Sequence, residues 1–266
     1  MDLEAEYDNR AKVPDHAAIQ ARWQAAAAAF RAAHPHGELG LAYGPTPRQA
    51  MDIFWPGTDR AAPLVLFIHG GYWQRNDRGG SSHFAQGLLA HGVAVAMPSY
   101  DLCPAVTLAA LVGQVRDAAA FLAGRGARGM LASGHSAGGH LAAMLLATDW
   151  AARGLPADTI AGALPISGLF DLLPLLHTSV NEALGLDAAE ARRLSPLALP
   201  RPARGRLHAV VGGDEGPEYT RQSRSIAAAW GGTWEALPGC NHFTVLAPLG
   251  DPGSALVRTA LRLLSG

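Results

Sequence analysis

Between residues 129 and 146 the chain passes from a short apolar run, Gly129-Met130-Leu131-Ala132-Ser133, through Gly134-His135-Ser136-Ala137-Gly138 into the apolar helical run His140-Leu141-Ala142-Ala143-Met144-Leu145-Leu146. A serine on a sharp turn from strand to helix needs small neighbours, because the strained backbone leaves no room for larger side chains. Gly134, Ala137 and Gly138 supply them. Such a turn lifts the hydroxyl above a sheet and aims the next amide at the space where an oxyanion would form. The stretch therefore constrains both fold and chemistry: a parallel sheet with a nucleophile at the carboxyl end of one strand.

The flanking sequence supplies that sheet. Leu39 to Tyr43 and Met51 to Trp55 read as two short strands around the turn signal Gly44-Pro45-Thr46-Pro47, an antiparallel start. Leu64 to Ile68 and Val93 to Met97 are continuous apolar runs, as expected of strands covered on both faces. Helices are expected over 82–91, 108–123, 140–153, 218–230 and 255–264. Further strands are expected at Ile160 to Ile166, whose end Pro165 weakens, at Leu207 to Val211 and at Thr233 to Leu237. This alternation predicts an α/β fold, a doubly wound, mostly parallel sheet of about eight strands flanked by helices.

One domain spanning 1–266 is the expectation, with a helical extension over about 1–37 and a lid-like insertion over about 168–205. In the extension, Ile19, Trp23, Ala26 and Phe30 fall on one helix face between Pro14 and Pro35, and core packing is the expected role of Trp23.

A serine hydroxyl needs a base, and the base needs an orienting acid. On a sheet of this kind the acid follows a later strand and the histidine follows the last one. His242 lies directly after the last expected strand, in Pro238-Gly239-Cys240-Asn241-His242-Phe243. Asp214 follows Val210-Val211-Gly212-Gly213 and is the preferred acid; Asp171, Glu215 and Glu218 compete. His135 and His140 flank the serine and are expected to pack or hydrogen-bond locally. His69-Gly70-Gly71-Tyr72-Trp73, after the strand Leu64 to Ile68, places Gly70, Gly71 and Tyr72 to complete an oxyanion hole with the Ala137 amide. Tyr72 and Trp73 are candidates for the substrate pocket, where an aromatic face would stack on an aryl leaving group.

Composition excludes other classes. A net charge of −1 gives no footprint for nucleic acid or an anionic membrane, and 49% hydrophobic residues suit an ordinary core. No apolar run approaches the roughly 18 residues of a membrane span, and the acidic start Met1-Asp2-Leu3-Glu4 is unlike a secretory signal. A soluble, cytoplasmic protein is expected. Cys103 and Cys240 form no C-x-x-C and are read as small fillers. Gly124-Arg125-Gly126-Ala127-Arg128-Gly129 matches G-x-G-x-x-G but follows a helix and precedes a strand, the reverse of dinucleotide-binding order. No metal and no cofactor is expected, and the partner is a small acyl substrate. The oligomeric state stays open, a homodimer included.

The residues His69-Gly70-Gly71-Tyr72-Trp73, Gly134 to Leu141, Asp214 and His242 resemble the α/β-hydrolase superfamily, and within it the serine-dependent arylformamidase (kynurenine formamidase) type. Tyr7-Asp8-Asn9-Arg10 and the segment Ser167 through Asn181 are similar to bacterial members. The resemblance implies a serine hydrolase of tryptophan catabolism, with Ser136 as nucleophile and a formyl group as the acyl portion. Related carboxylesterases share all three triad positions; Tyr72, where lipase-like esterases have glycine, favours the formamidase. A short-chain carboxylesterase and, more remotely, a non-catalytic binding protein on the same scaffold are the alternatives.

Overall fold

The computed structural model describes residues 2–265. Its strands are β1 (Gly37–Ala42), β2 (Ala50–Phe54), β3 (Leu64–Ile68), β4 (Ala94–Pro98), β5 (Met130–His135), β6 (Ile160–Ile166), β7 (Arg206–Gly212) and β8 (Thr233–Leu237). They form one sheet in the order β1-β2-β4-β3-β5-β6-β7-β8. The pairs β1/β2 and β2/β4 are antiparallel and the others parallel. This is the expected α/β-hydrolase architecture.

The apolar runs are buried on both faces for a period-2 reason. On β3, Leu64, Leu66 and Ile68 enter a core shared with the helices Leu108–Gly124 and Ala137–Leu146, while Val65 and Phe67 enter one shared with Phe30 and the helix Ala255–Leu264. Pro165 does not end β6. It pairs with Gly134, and the next rung is held by the Ser136 amide donating to Ile166 O at 2.8 Å, so one missing donor is tolerated.

Two helical expectations need correction. Residues 82–91 are not one helix but a 3₁₀ stretch, Arg78–Ala85, followed by the short helix Gln86–Leu89; Asp77 caps its start at the Gly79 amide. The helix after the serine ends at Leu146, where Thr148 Oγ1 folds back onto Met144 O at 2.8 Å.

The extension is tied down by charge and by aromatic packing. Its helix, His16–Ala33, buries Ile19, Ala27 and Phe30, so the small residue of the buried stripe is Ala27 rather than Ala26. Arg31 and Arg78 both pair with Asp52, which is fully buried on β2. Trp23 is half-buried, its ring edge-on to Phe84 at 5.3 Å. The segment 168–205 forms short helical turns, among them Leu173–His177 and Ala188–Arg193, whose Phe170, Leu172, Leu175 and Leu194 reach the core.

Candidate active site

The carboxyl ends of β3, β5, β6, β7 and β8 converge at one rim, the usual place for a site in an open parallel sheet. At the end of β5, Ser136 has φ 57° and ψ −117°, a conformation that costs of order 1–3 kcal/mol in a non-glycine residue and is held by what surrounds it. Its carbonyl accepts from the Gly139 and His140 amides, at 2.9 and 3.1 Å. The turn can be this tight only with glycine beside it. A Cβ at Gly138 would lie 2.0 Å from Ile68 O, and one at Gly134 would lie 2.4 Å from Gly138 O.

His242, 5% exposed, follows β8. Its Nδ1 faces Glu215 Oε2 at 2.7 Å. Asp214, the acid preferred from sequence, is exposed and does not reach it. The cause is the turn that follows β7. The Glu215 amide bonds back to Gly212 O at 3.2 Å, the Asp214 amide goes to Cys240 O, and so the third residue after Gly212 is folded inward while the second faces solvent. The Glu215 carboxylate is then held from its other side: Oε1 accepts from the Gly212 amide and from Ser167 Oγ, each at 2.5 Å. Asp171, the other competitor, pairs with Arg221 at 3.2 Å, and Glu218 accepts from Arg221 and Tyr7.

Ser136 and His242 line one cavity of about 270 Å³. In this state they make no direct hydrogen bond, and bonds of this kind tighten when a substrate fills the site. Gly71 and Tyr72 also line the cavity, whereas Gly70 and Ala137 do not; Gly70 packs against the serine, since a Cβ there would be 3.1 Å from Ser136 Cβ. Among the described residues the Gly71, Tyr72 and Ala137 amides donate to no other group, which leaves them free for an oxyanion.

Of the two aromatic candidates only Tyr72 meets the cavity. Trp73 is fully buried, edge-on to His140 at 5.1 Å, and is core. The Tyr72 hydroxyl donates to Tyr7 O at 2.6 Å and lies 2.9 Å from the Tyr219 hydroxyl, which takes a bond from Asn9 Nδ2 at 2.7 Å. Burial pushes the pKa of all three tyrosines up, so they stay neutral. This network seats the segment Tyr7 to Arg10 as a wall of the cavity. Trp23, Phe243 and, from the insertion, Ser179 and Val180 also line the cavity.

The flanking histidines do not bond locally. His135 Nε2 donates to His242 O at 2.7 Å, fixing the backbone of the histidine loop, and His140 Nε2 donates to Leu194 O at 2.8 Å in the insertion. A ring nitrogen that donates to a carbonyl fixes the neutral tautomer.

Comparison with known proteins finds relatives over most of the chain. A kynurenine formamidase of Salmo salar is 33% identical over 240 residues, covering 85% of this chain and 81% of the relative, and one of Danio rerio is 30% identical over the same shares. The chain belongs to the kynurenine formamidase family. The BD-FAE family model matches residues 51–158, the part of this family member that carries the β3 loop and the serine turn. A solved structure from Silicibacter sp. TM1040, a provisionally assigned thioesterase, is 36% identical with a TM-score of 0.90 and full coverage of both chains. Esterase B of Lactobacillus rhamnosis shares the fold at 20% identity, with a TM-score of 0.70 and 94% coverage of each chain. The protein is thus a hydrolase of the α/β-hydrolase fold. No helix among the described residues is long and apolar enough to cross a membrane, and none of their His, Cys, Asp and Glu side chains group as a metal site.

The buried histidines give this family member a predicted acid limit. Burial lowers His69 and His140 to about 4 and His135 well below its ordinary value. The unfolded chain therefore binds protons that the native state refuses, and stability falls as pH drops from about 6.5 toward 4. By pH 5 His69 and His140 each withdraw about 2 kcal/mol. Thermal melts should show a level Tm above pH 7 and a steep loss between pH 6.5 and 5; a Tm unchanged across that window would contradict it.

Proposed function

We propose that this protein is an arylformamidase that hydrolyses N-formylkynurenine or a similar aryl formamide through an acyl-enzyme on Ser136. The observation that carries the mechanism is His242 held by Glu215 in the cavity that Ser136 also lines. Ser136 Oγ attacks the formyl carbon as His242 Nε2 takes its proton. Glu215 keeps the imidazole oriented and balances its transient charge. The amides of Tyr72, Gly71 and Ala137 are the candidates to receive the oxyanion; losing one such donor typically costs about 3 kcal/mol of transition-state stabilisation. His242 then protonates the departing arylamine, and water, activated by the same imidazole, releases formate.

The substrate class rests on the formamidase relatives and on the size of the cavity, whose 270 Å³ suits a small acyl group and one aromatic ring. A short-chain ester or thioester hydrolase is the second reading, favoured by the 36% identical relative assigned to thioesters. Comparing kcat/KM for N-formylkynurenine, p-nitrophenyl acetate and p-nitrophenyl butyrate separates them. A preference for the formamide of about a hundredfold or more is expected; undetectable formamide turnover beside brisk ester hydrolysis would transfer the protein to the second reading.

A further inference from the structure

Two arginines, Arg10 and Arg75, line the cavity that holds Ser136 and His242. Arg10 comes from the amino-terminal wall and Arg75 from the loop after β3, where its Cγ lies 2.8 Å from the position a Gly71 Cβ would take. Arg31 and Arg78 pair with Asp52, Arg125 with Glu38, and Arg221 with Glu218 and Asp171. Among the described residues Arg10 and Arg75 have no carboxylate within ion-pair distance and no side-chain hydrogen bond. Two acids also line the cavity, and both are committed elsewhere. Glu4 accepts from the amide and hydroxyl of Ser179, at 2.8 and 2.5 Å, and Asp8 caps the Ala11 amide at 3.0 Å.

Arg10 and Arg75 thus bring two guanidiniums without a paired carboxylate to one cavity. Burial, and then the charge of Arg10, lower Arg75 from its ordinary value, which places the guanidiniums within each other's field. An anion at that point offsets the repulsion and accepts from both guanidiniums. A carboxylate suits it best, since the guanidinium fork matches carboxylate geometry and two arginines can share one group.

We infer that Arg10 and Arg75 bind a carboxylate on the leaving-group side of the substrate, so that the enzyme selects acyl compounds whose amine or alcohol portion carries a free acid. The inference rests on the hydrolase reading of this cavity and narrows it. An aryl formamide with an α-amino acid side arm meets the requirement, because its carboxylate extends from the ring away from the scissile bond. A simple formanilide or alkyl ester does not.

The test is the ratio of kcat/KM for a charged substrate to that for its neutral analogue. One pair is N-formylkynurenine and its carboxamide; a second is 4-acetoxybenzoate and its methyl ester. A ratio of about 10 to 100 is expected in the wild type, the size of a hydrogen bond to a charged group, and it should shrink as salt is added. Arg75→Gln should lower the ratio about three- to tenfold through KM, Arg10→Gln with Arg75→Gln should bring it near one, and Arg75→Lys should restore part of it. A wild-type ratio near one, or ratios unmoved by the variants, would overturn the assignment. If only the ester pair is turned over and still shows the ratio, the formamide reading fails and the carboxylate site stands. Brisk formamide turnover with no charge preference would do the reverse, removing the carboxylate site and keeping the formamidase.

Discussion

Ser136→Ala is expected to lower kcat by roughly 10⁴- to 10⁶-fold while leaving the fold intact, the loss seen when the nucleophile of a serine triad is removed. The two halves of that statement have separate causes. Ser136 Oγ makes no hydrogen bond among the described residues, so its deletion orphans no partner, and alanine meets the same positive φ that serine already adopts. What is lost is the only hydroxyl at the tip of the turn, and with it the covalent route. A fluorophosphonate probe followed by intact-mass analysis should show one adduct on the wild type and none on the variant, with equal thermal melts. Labelling that persists in the variant would put the nucleophile elsewhere.

The serine and the histidine are legible in the sequence because their positions depend on local grammar. A strand, a turn of small residues and an apolar helix specify Ser136, and proximity to the end of β8 specifies His242. The bounds of β3 and the helix Ala255–Leu264 follow from an uninterrupted apolar run and from amphipathic spacing in the same way. What escapes such a reading depends on contacts between distant segments. Trp73 and Tyr72 are adjacent and chemically alike, yet one packs under His140 and the other meets the cavity, a choice made by backbone at φ 59° and 49° that no periodicity reports. His135 and His140 look like local packing until their carbonyl partners, on His242 and Leu194 respectively, are brought in by the fold. The amino-terminal wall is a case between these extremes. Tyr7 to Arg10 stand out in the sequence only by resemblance, and their place beside Ser136 is fixed by Glu218, Tyr219 and Tyr72, remote along the chain.

The acid is where a one-residue offset matters most, and it makes the second large prediction. Glu215→Gln should reduce kcat by about 10³- to 10⁴-fold, whereas Asp214→Asn should stay within a few-fold of wild type, because only Glu215 touches the imidazole. The glutamine is the informative replacement, since it keeps the size of the side chain in a fully enclosed site. Its oxygen can still accept from the Gly212 amide and Ser167 Oγ, as Glu215 Oε1 does. That orientation turns the amide NH₂ toward His242 Nδ1. A donor there requires Nδ1 to be the acceptor, which puts the ring proton on Nε2, the nitrogen that must take the serine proton. The fold survives and the base is disabled, so melts and circular dichroism should match wild type while turnover collapses. Raising the pH should not restore it, because the wrong tautomer is neutral. An active Glu215→Gln beside a crippled Asp214→Asn would return the role to the exposed aspartate and require the turn after β7 to rearrange when substrate binds.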